Sequence, residues 1–131
     1  MPKMIHSMIR VLNPHTSIDF YDKAFGLRVK NRVDFEDFSL IYLSNDKSSF
    51  ELELTVNNDR TTPYNTGDGY GHLAVVVDNI KKEHERFVEL GFAPEKITDC
   101  EHKGTLIATF FFVKDPDGYS IEVMQENDRY T

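Results

Sequence analysis

The hydrophobic and polar positions of this chain follow two periods, and each period predicts a different element. In residues 50–56, apolar and polar side chains alternate strictly, which predicts a strand with Glu51 and Glu53 on its polar face. Residues 4–11 predict a strand in which His6 and every second residue after it share one face. Further strands are predicted over residues 28–34, 38–43, 70–77, 106–113 and 119–124.

Two helices are predicted from apolar residues spaced three and four apart. The first begins with a capping box over Thr16–Asp19 and ends at Gly26. The second is capped by Asp78 and runs through Leu90. We expect Gly26 and Gly91 to adopt the left-handed backbone conformation that commonly ends a helix.

The predicted elements occur twice in the same order, as strand, helix and then several strands. His6 lies in the first strand of one copy and precedes Glu53 by 47 residues. His72 lies in the first strand of the other copy and precedes Glu122 by 50 residues. Each copy therefore contributes one imidazole and one carboxylate at matching places.

Length and composition predict one domain made of two halves. The chain has 131 residues, of which 40% are hydrophobic, which is enough for a core but short for two independent domains. The polar, turn-rich residues 57–69 are predicted to link the halves. We expect a single domain over 1–131 with halves of about 1–65 and 66–131.

Charge and cysteine content exclude several functions. A net charge of −7 argues against a nucleic-acid-binding surface, which needs clustered basic residues. The longest apolar run, Leu106–Val113, is too short to cross a bilayer, and no leader pattern precedes the first strand. Cys100 is the only cysteine, so neither an internal disulfide nor a thiolate-rich metal site is expected. These features predict a soluble, cytoplasmic protein without nucleic-acid or membrane partners.

Two histidines and two glutamates are a donor set for a metal ion. Imidazole nitrogen and carboxylate oxygen suit borderline divalent cations such as zinc, nickel, cobalt, iron or manganese. Four protein ligands around an octahedral ion leave two positions open for water or substrate. Such an open site is typical of catalysis.

Five runs spread over the whole chain carry a family resemblance. They are His6-Ser7-Met8-Ile9-Arg10-Val11, Ser17-Ile18-Asp19-Phe20-Tyr21, Glu53-Leu54-Thr55-Val56-Asn57, Gly69-Tyr70-Gly71-His72-Leu73-Ala74 and Asp115-Pro116-Asp117-Gly118-Tyr119-Ser120-Ile121-Glu122. Together these runs resemble the glyoxalase I, or lactoylglutathione lyase, family of the vicinal oxygen chelate superfamily.

The resemblance implies an α+β fold of paired βαβββ modules and a homodimer in which modules are exchanged. It implies a metal held by His6, Glu53, His72 and Glu122, with ligands from two chains meeting in one site. The substrate would be the hemithioacetal of glutathione and methylglyoxal, and the product S-lactoylglutathione, so the activity would detoxify methylglyoxal. Glu122 would carry the substrate proton between adjacent carbons, with Glu53 as its counterpart.

The resemblance also implies residues that bind the glutathione part of the substrate. Arg10 and Asn57 would bind the γ-glutamyl end, and Lys103 the glycyl carboxylate. Glu51 shares a strand face with Glu53 and is the alternative metal ligand. The chain lacks long insertions, which resembles members that prefer nickel or cobalt, although zinc is also compatible; the identity of the thiol is left open.

Three other functions fit the same scaffold. An extradiol dioxygenase would use two histidines and one carboxylate, so Glu53 as a fourth ligand argues against it. A coenzyme-A-linked epimerase would abstract a proton in a similar way, but with a different residue at the Glu53 position. A binding protein of the bleomycin-resistance type would need no metal ligands.

Overall fold

The computed structural model describes residues 1–131, which divide into two compact units, Met1–Asn65 and Thr66–Thr131. Each unit consists of one strand, one helix and three further strands. The first unit contains β1 (His6–Arg10), α1 (Pro14–Phe25), β2 (Arg28–Asp34), β3 (Phe38–Asn45) and β4 (Ser48–Asn57). The second contains β5 (Leu73–Val77), α2 (Ile80–Glu89), β6 (Thr98–His102), β7 (Thr105–Lys114) and β8 (Ser120–Gln125).

The two units have the same sheet topology. The strand order is β1-β4-β3-β2 in the first unit and β5-β8-β7-β6 in the second. In each sheet the first strand runs parallel to the last strand, and the remaining neighbours are antiparallel. The predicted α+β class and the repeated βαβββ module are confirmed.

One face of the first sheet is apolar and buried. Ile9, Leu54 and Ile41 lie side by side across β1, β4 and β3, and all three are buried. Helix α1 buries Phe20 and Tyr21, which contact each other edge to face. Burial of each large apolar side chain stabilises the fold by roughly 1.5–3 kcal/mol. The other face of the sheet carries His6 and Glu53.

The second sheet is built in the same way. Val75, Val123 and Phe111 are aligned across β5, β8 and β7, and Val123 and Phe111 are fully buried. Phe87 of α2 packs edge to face on Phe111, with ring centroids 5.6 Å apart. The face that carries Glu122 is again the opposite one.

The predicted N-terminal cap of α1 is wrong, whereas its predicted C-terminal end is confirmed. Helix α1 is capped by Asn13, whose side chain accepts hydrogen bonds from the backbone N–H groups of His15 and Thr16. Pro14 occupies the first turn, where a backbone N–H would have no hydrogen-bond partner within the helix. The N–H that proline lacks is therefore not needed there. The helix therefore starts earlier than the Thr16 box predicts. Gly26 ends it in the left-handed conformation, with φ of 63°.

The cap of α2 also differs from the prediction. Asn79, not Asp78, accepts a hydrogen bond from the backbone N–H of Lys82. The Gln125 side chain accepts from the Ile80 N–H and donates to the Asp78 carbonyl, so β8 takes part in fixing the start of this helix. A long-range contact of this kind leaves no local signal in the sequence.

One strand boundary and one additional strand in the second unit depart from the predictions. Strand β5 begins at Leu73 rather than at residue 70, so His72 lies directly before it. Strand β6, Thr98–His102, was not predicted because its residues are polar and exposed. Its pairing with β7 supplies the hydrogen bonds that hold it extended. No helix of the chain has the length and apolar character needed to span a membrane.

Candidate metal and substrate site

In the first unit, His6 and Glu53 form a close pair. The imidazole Nε2 lies 2.8 Å from the carboxylate Oε2. In the parallel ladder Met8 is opposite Glu53, so His6 contacts the glutamate diagonally, from two residues earlier on the neighbouring strand. Glu53 is buried although it is charged, which requires compensating partners.

In the second unit, His72 and Glu122 form the corresponding pair. Nε2 of His72 lies 3.6 Å from Oε1 of Glu122. Ala74 is opposite Glu122 in the parallel ladder, and His72 precedes Ala74 by two residues. His6 precedes Met8, the residue opposite Glu53, by the same distance. The duplication seen in the sequence therefore extends to strand register.

An aromatic ring lies beside each histidine. Tyr42 contacts the His6 ring edge to face, with centroids 5.8 Å apart, and is directly opposite Glu53 in the β3–β4 ladder. Phe112 contacts the His72 ring in the same geometry at 5.3 Å and is directly opposite Glu122. The sequence contains no signal for these contacts because it does not reveal strand register.

The electrostatic surroundings of Tyr42 reflect its position beside the carboxylates. Burial raises the pKa of the Tyr42 phenol, and the nearby charges of Glu53 and Glu51 raise this pKa further. The phenol therefore stays protonated and uncharged next to the His6–Glu53 pair at neutral pH.

The two neighbouring glutamates differ in contact and in burial. Glu53 is the carboxylate that contacts the His6 imidazole. Glu51 is opposite His6 in the ladder and is less buried than Glu53. His6 therefore pairs with Glu53 rather than with Glu51.

The separation in the first pair is close to that of two adjacent ligand atoms around one divalent ion, and the separation in the second pair is longer. Ligand atoms about 2.1 Å from a metal and at right angles to each other are about 3 Å apart. The observed separations are 2.8 Å in the His6–Glu53 pair and 3.6 Å in the His72–Glu122 pair. No group of three or more His, Cys, Asp or Glu side chains placed to hold a metal occurs in the chain. Each unit by itself supplies one nitrogen and one oxygen donor.

The strand that carries Glu122 is anchored by a tight turn and two tyrosines. The buried Asp115 carboxylate accepts hydrogen bonds from the backbone N–H groups of Asp117 and Tyr119, both at 2.9 Å. The Tyr119 ring packs on Tyr70, with centroids 5.1 Å apart. Tyr70 precedes His72 by two residues, and Tyr119 precedes Glu122 by three. The contact between the two tyrosines therefore joins the backbone segments that lead to His72 and Glu122.

Two of the predicted substrate-binding residues lie near each other in the first unit. Arg10 is opposite Thr55 in the β1–β4 ladder, and Asn57 lies two residues further along β4. Alternation places Arg10, Thr55 and Asn57 on the face that carries Glu53. The Asn57 side-chain amide donates a hydrogen bond to the Tyr64 hydroxyl at 3.1 Å.

Lys103 lies apart from the donor pair of its own unit. It is exposed in the turn between β6 and β7, with a positive φ of 52°. This turn is separated from Phe112, which neighbours His72, by most of strand β7, or about 25 Å of extended chain. The structure does not bring Lys103 to the His72–Glu122 pair, so its role in substrate binding stays a prediction.

Comparison with known proteins relates the whole chain to one superfamily. The family model of the Glyoxalase/Bleomycin resistance protein/Dioxygenase superfamily matches residues 3–123. A lactoylglutathione lyase of Neisseria meningitidis serogroup A is 37% identical over 129 residues, which cover 95% of this chain and 91% of the relative. A lactoylglutathione lyase of Escherichia coli O157:H7 is 32% identical over 130 residues, covering 96% and 94%.

A solved structure supports the same relationship. The trypanothione-dependent glyoxalase I of Leishmania major superposes with a TM-score of 0.77 at 34% sequence identity. The match covers 96% of this chain and 88% of the Leishmania chain. The similarity therefore extends over both units rather than over one module.

Proposed function

The chain belongs to the Glyoxalase/Bleomycin resistance protein/Dioxygenase superfamily, and we propose that it is a lactoylglutathione lyase that isomerises the hemithioacetal of methylglyoxal and glutathione to S-lactoylglutathione. The observation that carries this proposal is the pair of His–Glu contacts, which occur once per unit in the same strand register. Similarity to lactoylglutathione lyases over nearly the full chain supports it.

His6, Glu53, His72 and Glu122 are the residues that would hold the divalent cation. When bound, the cation supplies positive charge beside the substrate oxygens, which stabilises negative charge that develops there during proton removal. The mixed nitrogen and oxygen donors suit a borderline metal. Nickel or cobalt is our first choice because the chain lacks long insertions, and zinc is the alternative.

Glu122 is the residue that moves the proton. Its carboxylate takes the proton from the substrate carbon that bears sulfur and returns it to the neighbouring carbon. The hydroxyl proton of the sulfur-bearing carbon passes to the oxygen of the neighbouring carbonyl, so a thioester and a new hydroxyl form and no oxidant or reductant is consumed. The looser 3.6 Å contact to His72 and a side chain that is 16% exposed leave this carboxylate freer than Glu53, which is 10% exposed and 2.8 Å from His6. General acid–base catalysis of this kind contributes about 10²–10⁴-fold in rate.

Basic and amide side chains would bind the glutathione part of the substrate. Arg10 carries a guanidinium that can bind the γ-glutamyl carboxylate in bidentate fashion. Asn57 lies beside it on the same sheet face and can bind the neighbouring amino group. Lys103 is the candidate for the glycyl carboxylate.

A homodimer would complete the site. Each unit contains one His–Glu pair, so a four-ligand site would combine one unit of each kind, from one chain or from two. We place His6 and Glu53 of one subunit with the second-unit pair of its partner. The cytoplasm, where thiols are kept reduced, is the compartment in which glutathione is available.

Complementation between inactive variants tests this arrangement. One variant carries His6→Ala and Glu53→Gln, and the other carries His72→Ala and Glu122→Gln. If sites form between chains, refolding the variants together restores about a quarter of wild-type activity, because random pairing makes half the dimers mixed and each mixed dimer holds one intact site. No recovery on co-refolding contradicts the exchanged dimer. The control is each double variant refolded alone, which should stay inactive.

A substrate screen tests the reaction itself. Metal-reconstituted protein is assayed with methylglyoxal hemithioacetals of glutathione, trypanothione and a thiol that lacks the γ-glutamyl group. We expect turnover with glutathione and much less with the last thiol. Tight binding without turnover would contradict the proposal and favour a binding protein of the bleomycin-resistance type, and oxygen consumption with a catechol would favour a dioxygenase.

A further inference from the structure

The aromatic rings beside the two His–Glu pairs differ by one polar group. The ring that packs on His6 is Tyr42, whereas the ring that packs on His72 is Phe112. Both rings hold the same ladder position, directly opposite the glutamate of their own pair. The ring contact is made in the second unit without a hydroxyl, so the contact itself does not require the oxygen that Tyr42 carries.

The Tyr42 side chain leans over the strand that carries Glu53. Strand β4 separates β3 from β1, so the backbones of Tyr42 and His6 are two strand spacings, or about 10 Å, apart. Their rings nevertheless meet edge to face, with centroids 5.8 Å apart. The two side chains therefore lean toward each other across β4, on the face of the sheet where Glu53 contacts His6.

The Tyr42 hydroxyl is a hydrogen-bond donor that the chain itself does not use. It makes no hydrogen bond to another residue. Burial, and then the negative charges of Glu53 and Glu51, raise the pKa of the phenol, so it keeps its proton at neutral pH. An ionised carboxylate only accepts hydrogen bonds, whereas a protonated phenol can donate one. The hydroxyl thus supplies a neutral O–H beside two acceptor groups.

The proposed reaction needs such a donor. Removing a proton from the carbon next to a carbonyl places negative charge on the substrate oxygens, and the carboxylates of the site repel that charge. The cation offsets part of it when bound. A fixed donor that faces the oxygen stabilises the rest, and stabilises it more strongly as the charge grows. A neutral phenol does so without introducing a second cation that would compete for the glutamates.

We propose that the Tyr42 hydroxyl is a catalytic group that donates a hydrogen bond to a substrate oxygen as negative charge develops on that oxygen. This inference rests on the proposed function, which supplies the hemithioacetal, and adds to it a catalytic residue from the first unit. Glu122 remains the residue that moves the proton between carbons. Tyr42 keeps its own proton throughout, so the phenol gains and loses no atom.

Steady-state kinetics of Tyr42→Phe tests the inference, because this change removes one oxygen and keeps the ring. We expect kcat to fall by about 10- to 100-fold, the range for a hydrogen bond to a charged group. KM should stay within about twofold, because the bond strengthens only in the transition state. Tyr130→Phe is the control and should keep full activity, since it removes a hydroxyl from a ring that contacts Arg129 rather than a histidine.

Binding of two glutathione derivatives gives a readout apart from turnover. S-(N-hydroxy-N-methylcarbamoyl)glutathione carries two adjacent oxygens that imitate those of the substrate after proton removal, and S-hexylglutathione lacks them. Calorimetry with metal-loaded protein measures both Kd values. Tyr42→Phe should weaken the first ligand by about tenfold or more. It should leave S-hexylglutathione and the metal alone within about twofold of the wild type.

The outcomes separate catalysis from positioning. Wild-type kcat in Tyr42→Phe would overturn the inference while the proposed function stands. Equal weakening of both ligands, or weaker metal binding, would also overturn it, because the hydroxyl would then support Glu53 or the local packing rather than a substrate oxygen. A wild-type protein that turns over no hemithioacetal would overturn the proposed function and the inference together.

Discussion

Tyr42 faces Glu53 directly across the β3–β4 ladder, and its ring also meets His6 edge to face. Phe112 has the same relationship to Glu122 and His72 in the second unit. Each His–Glu pair therefore has an aromatic ring packed on one side. If the pairs hold a metal as proposed, such a ring would restrict the imidazole and help to keep the donor atoms in place.

The first prediction concerns the Tyr42 ring. Tyr42→Ala should lower metal affinity by about tenfold, at the low end of the range for residues that orient ligands, because the His6 ring gains freedom. Tyr42→Phe should bind metal as the wild type does, because the ring rather than the hydroxyl contacts the imidazole. Calorimetric metal titration measures both. Unchanged affinity in Tyr42→Ala would show that the ring does not position His6.

Much of the fold was predictable because it depends on local patterns. The alternation in residues 50–56 predicts β4, and the helix that ends at Gly26 has the expected left-handed terminus. Strand β6 was not predictable, because its polar residues are extended only through pairing with β7. The cap of α2 depends similarly on Gln125, which is 45 residues away from Ile80.

The same contrast between local patterns and long-range contacts applies to the candidate site. The His6–Glu53 and His72–Glu122 contacts could be anticipated because a duplicated spacing is visible along the chain. Tyr42 was missed because its place beside Glu53 depends on the register of β3 and β4, and no local pattern specifies register. The Asn57–Tyr64 hydrogen bond was not predictable because it closes a loop of irregular backbone. Contacts between residues with a repeated spacing were thus easier to predict than contacts that depend on strand register or on an irregular loop.

The second prediction concerns the proton-transferring group. Glu122→Gln should lower kcat by about 10²–10⁴-fold, because the amide keeps the shape of the side chain but accepts no proton at neutral pH. Circular dichroism should show an unchanged fold. Glu126→Gln, at an exposed position just after the same strand, is the control and should retain activity. Full activity in Glu122→Gln would assign the proton transfer to another residue.

The third prediction concerns the metal. Dialysis against a chelator should abolish isomerisation, and nickel or cobalt should restore more activity than zinc. The restored protein should also have a higher Tm, because a ligand that binds only the folded state stabilises it. His72→Ala should regain neither activity nor the increase in Tm. Undiminished turnover by metal-free protein would rule out a metal-dependent mechanism.

The fourth prediction concerns the pH dependence of stability in the first unit. Hydrogen bonds from the Ser39 hydroxyl and then from the Arg32 guanidinium lower the pKa of Asp34 below its ordinary value. A lowered carboxyl pKa stabilises the folded state above the unfolded pKa of about 3.9, and this contribution is lost as the pH falls through the folded pKa. Ser39→Ala removes the larger of the two hydrogen-bond effects.

The difference in unfolding free energy between wild type and Ser39→Ala should therefore be largest at neutral pH and should shrink below about pH 4. Urea unfolding at several pH values measures this difference, and carbon NMR titration of Asp34 should show its pKa moving up in the variant. In an Asp34→Asn background the charge is absent, so the effect of Ser39→Ala should become independent of pH. A difference that stays constant with pH in the Asp34 protein would mean that Ser39 acts through packing, since its side chain is also buried.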